Sequence, residues 1–308
     1  MLYGIDEQGT YYVEHYPVKR SVGNVRQESE LFAKKLFEEN NNITVSLSSG
    51  LDSQLVLHSF LIQGLKINAA FMHLPGYNDN EYQQIKTLEQ KYNISVIKID
   101  LDPMALKDEV MEEWAQTGQT PYHNLHKHFL AKLDPETTFI QGLNGPNIYV
   151  DQNTDKSYLI QSYNSFETTR ARAFASLNRP GKVVEWFFES AIMLSVLNEP
   201  IVQNYPITYN YFVNNDLVYE TTSANARPIP PIIDHWDLYL KPHIYANYWK
   251  RELEFFPKFG GPELIDYIKY GPKNDYKSRM VFIELNAMID HLVHGNEKKR
   301  FYERKKNV

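Results

Sequence analysis

Residues 43–54, Ile-Thr-Val-Ser-Leu-Ser-Ser-Gly-Leu-Asp-Ser-Gln, combine types and spacing suited to holding an anion. An apolar run with Ile43, Val45 and Leu47 gives way to the small residues Ser48, Ser49 and Gly50. Asp52 and Ser53 follow, and Leu55, Val56, Phe60 and Leu61 then recur at helical spacing. The first N–H groups of a helix have no intrahelical partner, and the helix dipole favours negative charge there. Small side chains let the backbone close around phosphate oxygens. No Lys follows, which excludes the G-x-x-x-x-G-K-[ST] loop, and the G-x-G-x-x-G spacing is also missing. The plainer alternative is a structural turn in which Ser48 or Ser49 caps the helix.

Such a loop needs a sheet to position it. Leu31, Phe32 and Leu36 predict a helix from Ser29 to Asn40, with Ser29 as N-cap. Strands are expected at 43–48, 67–73, 95–100 and 137–141, and helices at 51–63, 79–92, near 104–115 and at 122–132, with Gly64 closing the first of these helices. This alternation predicts an α/β fold built on a doubly wound parallel sheet. Ligands in such sheets bind beyond the carboxyl ends of the strands, where Ser48–Ser53, His73 and Gly142–Asn147 all fall. Residues 1–20 read as a hairpin of strands at 2–5 and 10–15. Beyond residue 150 the alternation stops, and helical patterns occur at 166–177, 182–197, 238–256, 262–269 and 277–294. A Tyr- and Asn-rich stretch at 203–223 and a Pro-rich connector at 227–231 lie among them. The expected division is an N-terminal hairpin or extension at 1–29, an α/β domain carrying the anion loop at 30–200 and a mostly helical C-terminal region at 201–308.

Composition narrows the classes. With 308 residues there is room for one large domain or two modest ones. No segment approaches the ~18 apolar residues of a membrane span. The start, Met-Leu-Tyr-Gly-Ile-Asp-Glu, lacks a signal-peptide pattern, and a cytoplasmic location is expected. Cys is absent, which excludes disulfides, thiolate metal sites and a cysteine nucleophile. A net charge of −6 argues against broad nucleic-acid binding. The basic run from Lys298 to Lys306 reads as a solvated, helix-terminating segment, with a dock for an acidic partner or nucleic acid as the alternative.

Leu47-Ser48-Ser49-Gly50-Leu51-Asp52-Ser53 resembles the L-S-G-G-L-D-S pyrophosphate loop of the PP-loop ATP pyrophosphatases, with Ser49 where the first Gly usually stands. Thr120-Pro121-Tyr122, a helix, and then Phe139-Ile140-Gln141-Gly142 are similar to the Pro-containing helix and following strand of the asparagine synthetase family. Residues 30–200 thus resemble that family's synthetase domain. In the family ATP adenylates a carboxylate, pyrophosphate leaves and an amine attacks the acyl-adenylate. The resemblance implies that the backbone of Ser48, Ser49, Gly50, Leu51, Asp52 and Ser53 holds pyrophosphate, assisted by the Ser48 and Ser53 hydroxyls. It implies Mg²⁺ on Asp52, since this cation takes one or two carboxylates beside phosphates. It also implies adenine contact at Phe71, Met72 and His73, a second loop containing Gly142, Asn144 and Gly145, and a cationic part for Lys273 near the polyphosphate. ATP and Mg²⁺ are therefore the expected cofactors.

The sequence departs from the family twice. Its second loop reads Gly142-Leu143-Asn144-Gly145-Pro146-Asn147 in place of G-x-G-x-D-E. An Asn oxygen can ligate a metal but carries no charge, so attraction for Mg²⁺ is reduced unless Asp151 or Asp155 substitutes. The resemblance covers no glutaminase half, and there is no Cys to release ammonia from glutamine. The amine would then come from free ammonia, from an amine-bearing substrate or through a separate partner subunit such as an amidotransferase.

The expected activity is an ATP-dependent, AMP-forming carbon–nitrogen ligase acting on a small carboxylate. Two alternatives are a catalytically reduced binding or structural subunit and a PP-loop enzyme acting on a nucleobase or tRNA. Acidic overall charge disfavours the tRNA version. His123, His126, His128, His291 and His294 lack a carboxylate or Cys at ligand spacing and read as surface or packing residues. Arg170, Arg172, Lys258 and Arg279 are further candidate cations. Asp79 and Glu81 read as stabilising the start of their own helix, with Asp79 also a candidate to face the nucleotide. Tyr239, Tyr245, Tyr248, Trp249, Phe255 and Phe256 read as packing within the helical half.

Overall fold

Ile43, Thr44 and Val45 are β-branched and lie almost fully buried in the middle strand of a parallel sheet. The computed structural model describes residues 2–5, 11–76, 78–102, 105–106, 108–110, 112, 121–142, 147–151, 156–162, 177–200, 210–213, 216–219 and 280–302. In chain order these contain β1 (Leu2–Ile5), β2 (Tyr11–His15), α1 (Val25–Glu39), β3 (Ile43–Ser46), α2 (Leu51–Leu61), β4 (Asn68–His73), α3 (Asp79–Tyr92) and β5 (Val96–Asp100). Then come α4 (Pro121–Ala131), β6 (Thr138–Gln141), β7 (Asn147–Asp151), β8 (Lys156–Ser162), β9 (Lys182–Glu185) and α5 (Ser190–Leu197). The last are β10 (Asn210–Val213), β11 (Asp216–Tyr219), β12 (Met280–Glu284), α6 (Leu285–His294) and β13 (Lys299–Tyr302).

The main sheet has five strands in the order β5-β4-β3-β6-β9, and every pairing is parallel. Side chains alternate across each strand and feed two cores. Val45, Phe71 and Ile140 enter the larger, where they meet Ala33 of α1, Leu55 and Phe60 of α2, Ile85 of α3 and Ile192 of α5. Ala70, Ile99 and Phe139 enter the other, against Leu125, Phe129 and Leu130 of α4. Helices therefore cover both faces, the doubly wound arrangement predicted from the alternation. Gly64 does close α2, at φ +71°.

Several sequence expectations need correction. Asn24, not Ser29, caps α1: its side chain accepts from the Gln27 amide, while Gln27 reaches back to the Asn24 amide. Ser29 is instead buried within the helix. Residues 182–197 were expected to be helical but begin with β9, which pairs with β6, before a single 3₁₀ turn at Trp186–Phe188 and α5. Residues 277–294 likewise contain β12 ahead of α6. Strand β12 joins β8 and β7 in an antiparallel sheet, and β10 pairs with β11 inside the Tyr- and Asn-rich stretch. The start of the basic run is a strand: β13 pairs with β2, and both Lys298 and Arg300 reach Glu14. The helical patterns at 238–256 and 262–269 lie outside the described residues, as does almost all of 166–177.

Near the start of α1, the buried Glu28 carboxylate accepts from both terminal nitrogens of Arg20 and from the Gly23 amide at 2.7 Å. Burial pushes the Glu28 carboxyl up, but Arg20 and the Gly23 amide outweigh it and hold the group below its ordinary value near 4.5. A folded-state value below the unfolded one contributes stability above about pH 4.5 and loses it as pH falls through the folded value. Glu28→Gln should therefore cost about 1–3 kcal/mol at pH 7. That deficit should shrink steadily below pH 4.5 in urea titrations. A pH-independent deficit would remove the ionised carboxylate from the account.

Candidate functional site

The chain leaves β3 at Ser46 and enters α2 at Leu51, with Gly50 as an N-cap that supplies no side-chain hydrogen bond. Serine hydroxyls stabilise the turn instead. The Gly50 amide donates to Ser48 Oγ at 3.1 Å. Ser53 Oγ accepts from the Ser48 amide at 3.0 Å, and the carbonyls of Ser48 and Gly50 lie 2.9 and 3.0 Å away as acceptors. A hydroxyl has one proton and two lone pairs, so these contacts use most of what Ser53 can offer. Ser53 is a brace of the loop, drawn inward from the first turn of α2. Gln54 adds a second brace by donating from Nε2 to the Ser49 carbonyl at 3.1 Å.

Glu81 supplies a contact from outside the loop. Its Oε1 accepts from both the Ser49 amide at 3.1 Å and the Ser49 hydroxyl at 3.2 Å. Glu81 lies in the first turn of α3 and serves Ser49 across 32 residues of sequence. The loop thus already holds a carboxylate on one of its backbone donors.

Strands β4 and β6 flank β3, so their carboxyl ends lie beside the loop. At the end of β6, a Cβ on Gly142 would stand 2.6 Å from the Asp52 carbonyl oxygen and 2.6 Å from Val56 Cγ2. Only glycine lets the chain at the end of β6 lie so close to the start of α2. At the end of β4, His73 is nearly buried and pairs in register with Asp100 of β5. Its Nδ1 lies 2.5 Å from Asp100 Oδ1 and its Nε2 lies 2.8 Å from Asp79 Oδ1. Lys98 Nζ is 2.8 Å from the same Asp100 oxygen. The Lys98 ammonium, with the His73 ring, holds the Asp100 carboxyl below the usual carboxylate range. Tyr82 completes this edge, stacked on Phe71 and faced by Lys98 and Lys86.

The structure accordingly brings Ser48, Ser49, Gly50, Leu51, Asp52, Ser53 and Gly142 together, and places Met72 and His73 on the adjacent strand end. Asn144, Gly145, Asp155, Arg170, Arg172, Lys258, Lys273 and Arg279 lie outside the described residues. Asp79 stands in the first turn of α3, where its Oδ2 accepts from the Gly76 amide of the preceding turn at 2.8 Å and its Oδ1 meets His73. Glu81 also lies in that first turn and, beyond what its place in the helix implies, reaches Ser49. Asp100, Lys98 and Gln54 carried no sequence signal for the parts they play. Among the described residues, no group of three or more His, Cys, Asp or Glu could hold a metal alone. Mg²⁺ asks for less, one or two carboxylates beside substrate phosphates. Half-buried Asp52, in the first turn of α2, fits that requirement.

No protein-family profile matches the sequence, and no curated protein matches it. Among solved structures, the chain is similar to an NH3-dependent NAD synthetase from Campylobacter jejuni in complex with the nitrate ion. The two share 12% identity at a TM-score of 0.36, over 82% of this chain and 94% of that one. At this level the likeness is coarse, and the fold is assigned from the order and direction of the strands. No described helix is long and apolar enough to cross a membrane.

Proposed function

We propose that this chain is an ATP-dependent ligase of the PP-loop type, related in mechanism to asparagine synthetase and lacking its own glutaminase. One observation carries the reading. The turn of small residues after β3, the N-terminus of α2 and Gly142 at the end of β6 meet at the carboxyl edge of a parallel sheet. Backbone N–H groups and the α2 dipole there favour a polyphosphate. A substrate carboxylate oxygen attacks the α-phosphorus of ATP, and the bond to the β-phosphate oxygen breaks to release pyrophosphate. An amine then attacks the acyl carbon and loses a proton, while AMP leaves with the electron pair. In this scheme the loop orients the leaving pyrophosphate, and Asp52 is the residue that would hold Mg²⁺, whose charge would offset the negative charge of the leaving group.

A second reading, a catalytically reduced binding or structural subunit, has its own support. Glu81 puts a carboxylate on the loop, and the sequence lacks the acidic pair at 144–147. Pyrophosphate release with ATP, Mg²⁺, ammonia and a pool of amino acids separates the two. The ligase reading expects release that depends on the acceptor and is sustained over many turnovers only when the amine is present. A native-state ligand at a hundredfold excess over Kd should also add about 2.7 kcal/mol of stability. Absence of both pyrophosphate release and a nucleotide-dependent thermal shift would defeat the ligase.

A further inference from the structure

We propose that Glu81 is an internal competitor for the phosphate loop, a carboxylate that must leave Ser49 before a polyphosphate can bind. The proposal rests on reading the loop as a phosphate site and adds a means of regulating it. The Ser49 amide is a backbone donor of the type that grips phosphate oxygen, and Glu81 Oε1 sits on it at 3.1 Å. Ser49 Oγ gives the same oxygen a second donor at 3.2 Å. That hydroxyl exists because the chain reads Ser48-Ser49-Gly50, and the residue making the sequence unusual is thus the one that retains the carboxylate. Hydrogen bonds to an ionised acceptor are about twice as strong as neutral ones.

A polyphosphate approaching this loop meets two obstacles, an occupied donor and a like charge. Once displaced, Glu81 remains in the first turn of α3, where a carboxylate is also favoured, so release leaves it in a tolerable position. The contact joins α3 to the loop, and any event that draws α3 away would open the site. Nucleotide affinity is then set by the position of α3 as well as by the loop.

Titration calorimetry of the full chain with inorganic pyrophosphate and Mg²⁺ tests this. Glu81→Gln keeps the shape and removes the charge, and should bind pyrophosphate about tenfold more tightly than the wild type, the factor for one charge-assisted bond. Ser49→Gly removes one of the two donors and should tighten binding by a smaller factor. The double variant should bind no more tightly than Glu81→Gln, because the hydroxyl acts only through Glu81. Should Glu81→Gln fail to fold, Glu81→Asp keeps the helix charge but is one methylene shorter, and the same tightening is expected. Equal or weaker binding by a folded Glu81 variant, with the wild type binding, would overturn the competitor and leave the phosphate site standing. No binding by the wild type or by any variant would defeat the phosphate site, and the competitor with it.

Discussion

Asp52→Asn is expected to slow ATP-dependent pyrophosphate release by about a hundredfold or more, the usual cost of removing one group that stabilises transition-state charge. The side chain keeps its size and loses its charge. Asp52 is half-buried in the first turn of α2, and a Cβ on Gly142 would stand 2.6 Å from its carbonyl oxygen, so the end of β6 passes close beside it. The second loop offers no acidic pair as a substitute. A carboxylate in the first turn of a helix is worth about 0.3–1 kcal/mol through the dipole. The unfolding free energy should therefore fall by no more than about 1 kcal/mol while turnover collapses. Steady-state kinetics over a range of Mg²⁺ concentrations and a urea titration would show this split. Unchanged turnover would remove Asp52 from the mechanism, and matching losses of activity and stability would make it a structural residue.

What could be read from the sequence depended on the range of the interactions. Strand β3, the turn and α2 are specified by neighbouring residues: a β-branched run, small residues and then helical spacing. Segments 182–197 and 277–294, expected to be helical throughout, are ones where a strand runs directly into a helix. Lys182-Val183-Val184-Glu185 is only four residues long, and periodicity over so short a run cannot tell a strand from a first helical turn. Pairing with β6 decides the matter, and that partner lies about forty residues upstream. Met280–Glu284 runs into Leu285 in the same way, and its partner β8 is farther still. The site follows the same rule. Backbone donors at Ser48–Ser53 were visible because the motif is contiguous. The Glu81 contact with Ser49 and the register of His73 with Asp100 arise only when α3 and β5 are laid against the sheet. A carboxylate next to a helix start has a sufficient local explanation, and that concealed the longer-range one.

Trp186→Ala should be the most destabilising single change in the described core, at about 3–5 kcal/mol. Trp186 follows β9 and is fully buried, its ring 5.0 Å from Phe32 of α1 and 5.8 Å from Phe60 of α2. It therefore joins the strand at one edge of the sheet to the helix whose N-terminus forms the loop. The indole N–H is buried without a hydrogen-bond partner among the described residues. An unsatisfied buried donor costs about 1–3 kcal/mol. Trp186→Phe removes that donor along with some ring volume, and the two effects oppose each other. The phenylalanine variant should thus lose much less stability than the alanine variant, since its cavity is smaller and removal of the buried donor offsets part of the cost. Urea titrations of both variants give the comparison. Equal losses for Phe and Ala would mean that the N–H is satisfied and contributes to stability. A small loss for Ala would mean that α1 and α2 can close the gap. If the phenylalanine variant also keeps its pyrophosphate affinity, the packing beneath α2 acts on the loop through shape alone.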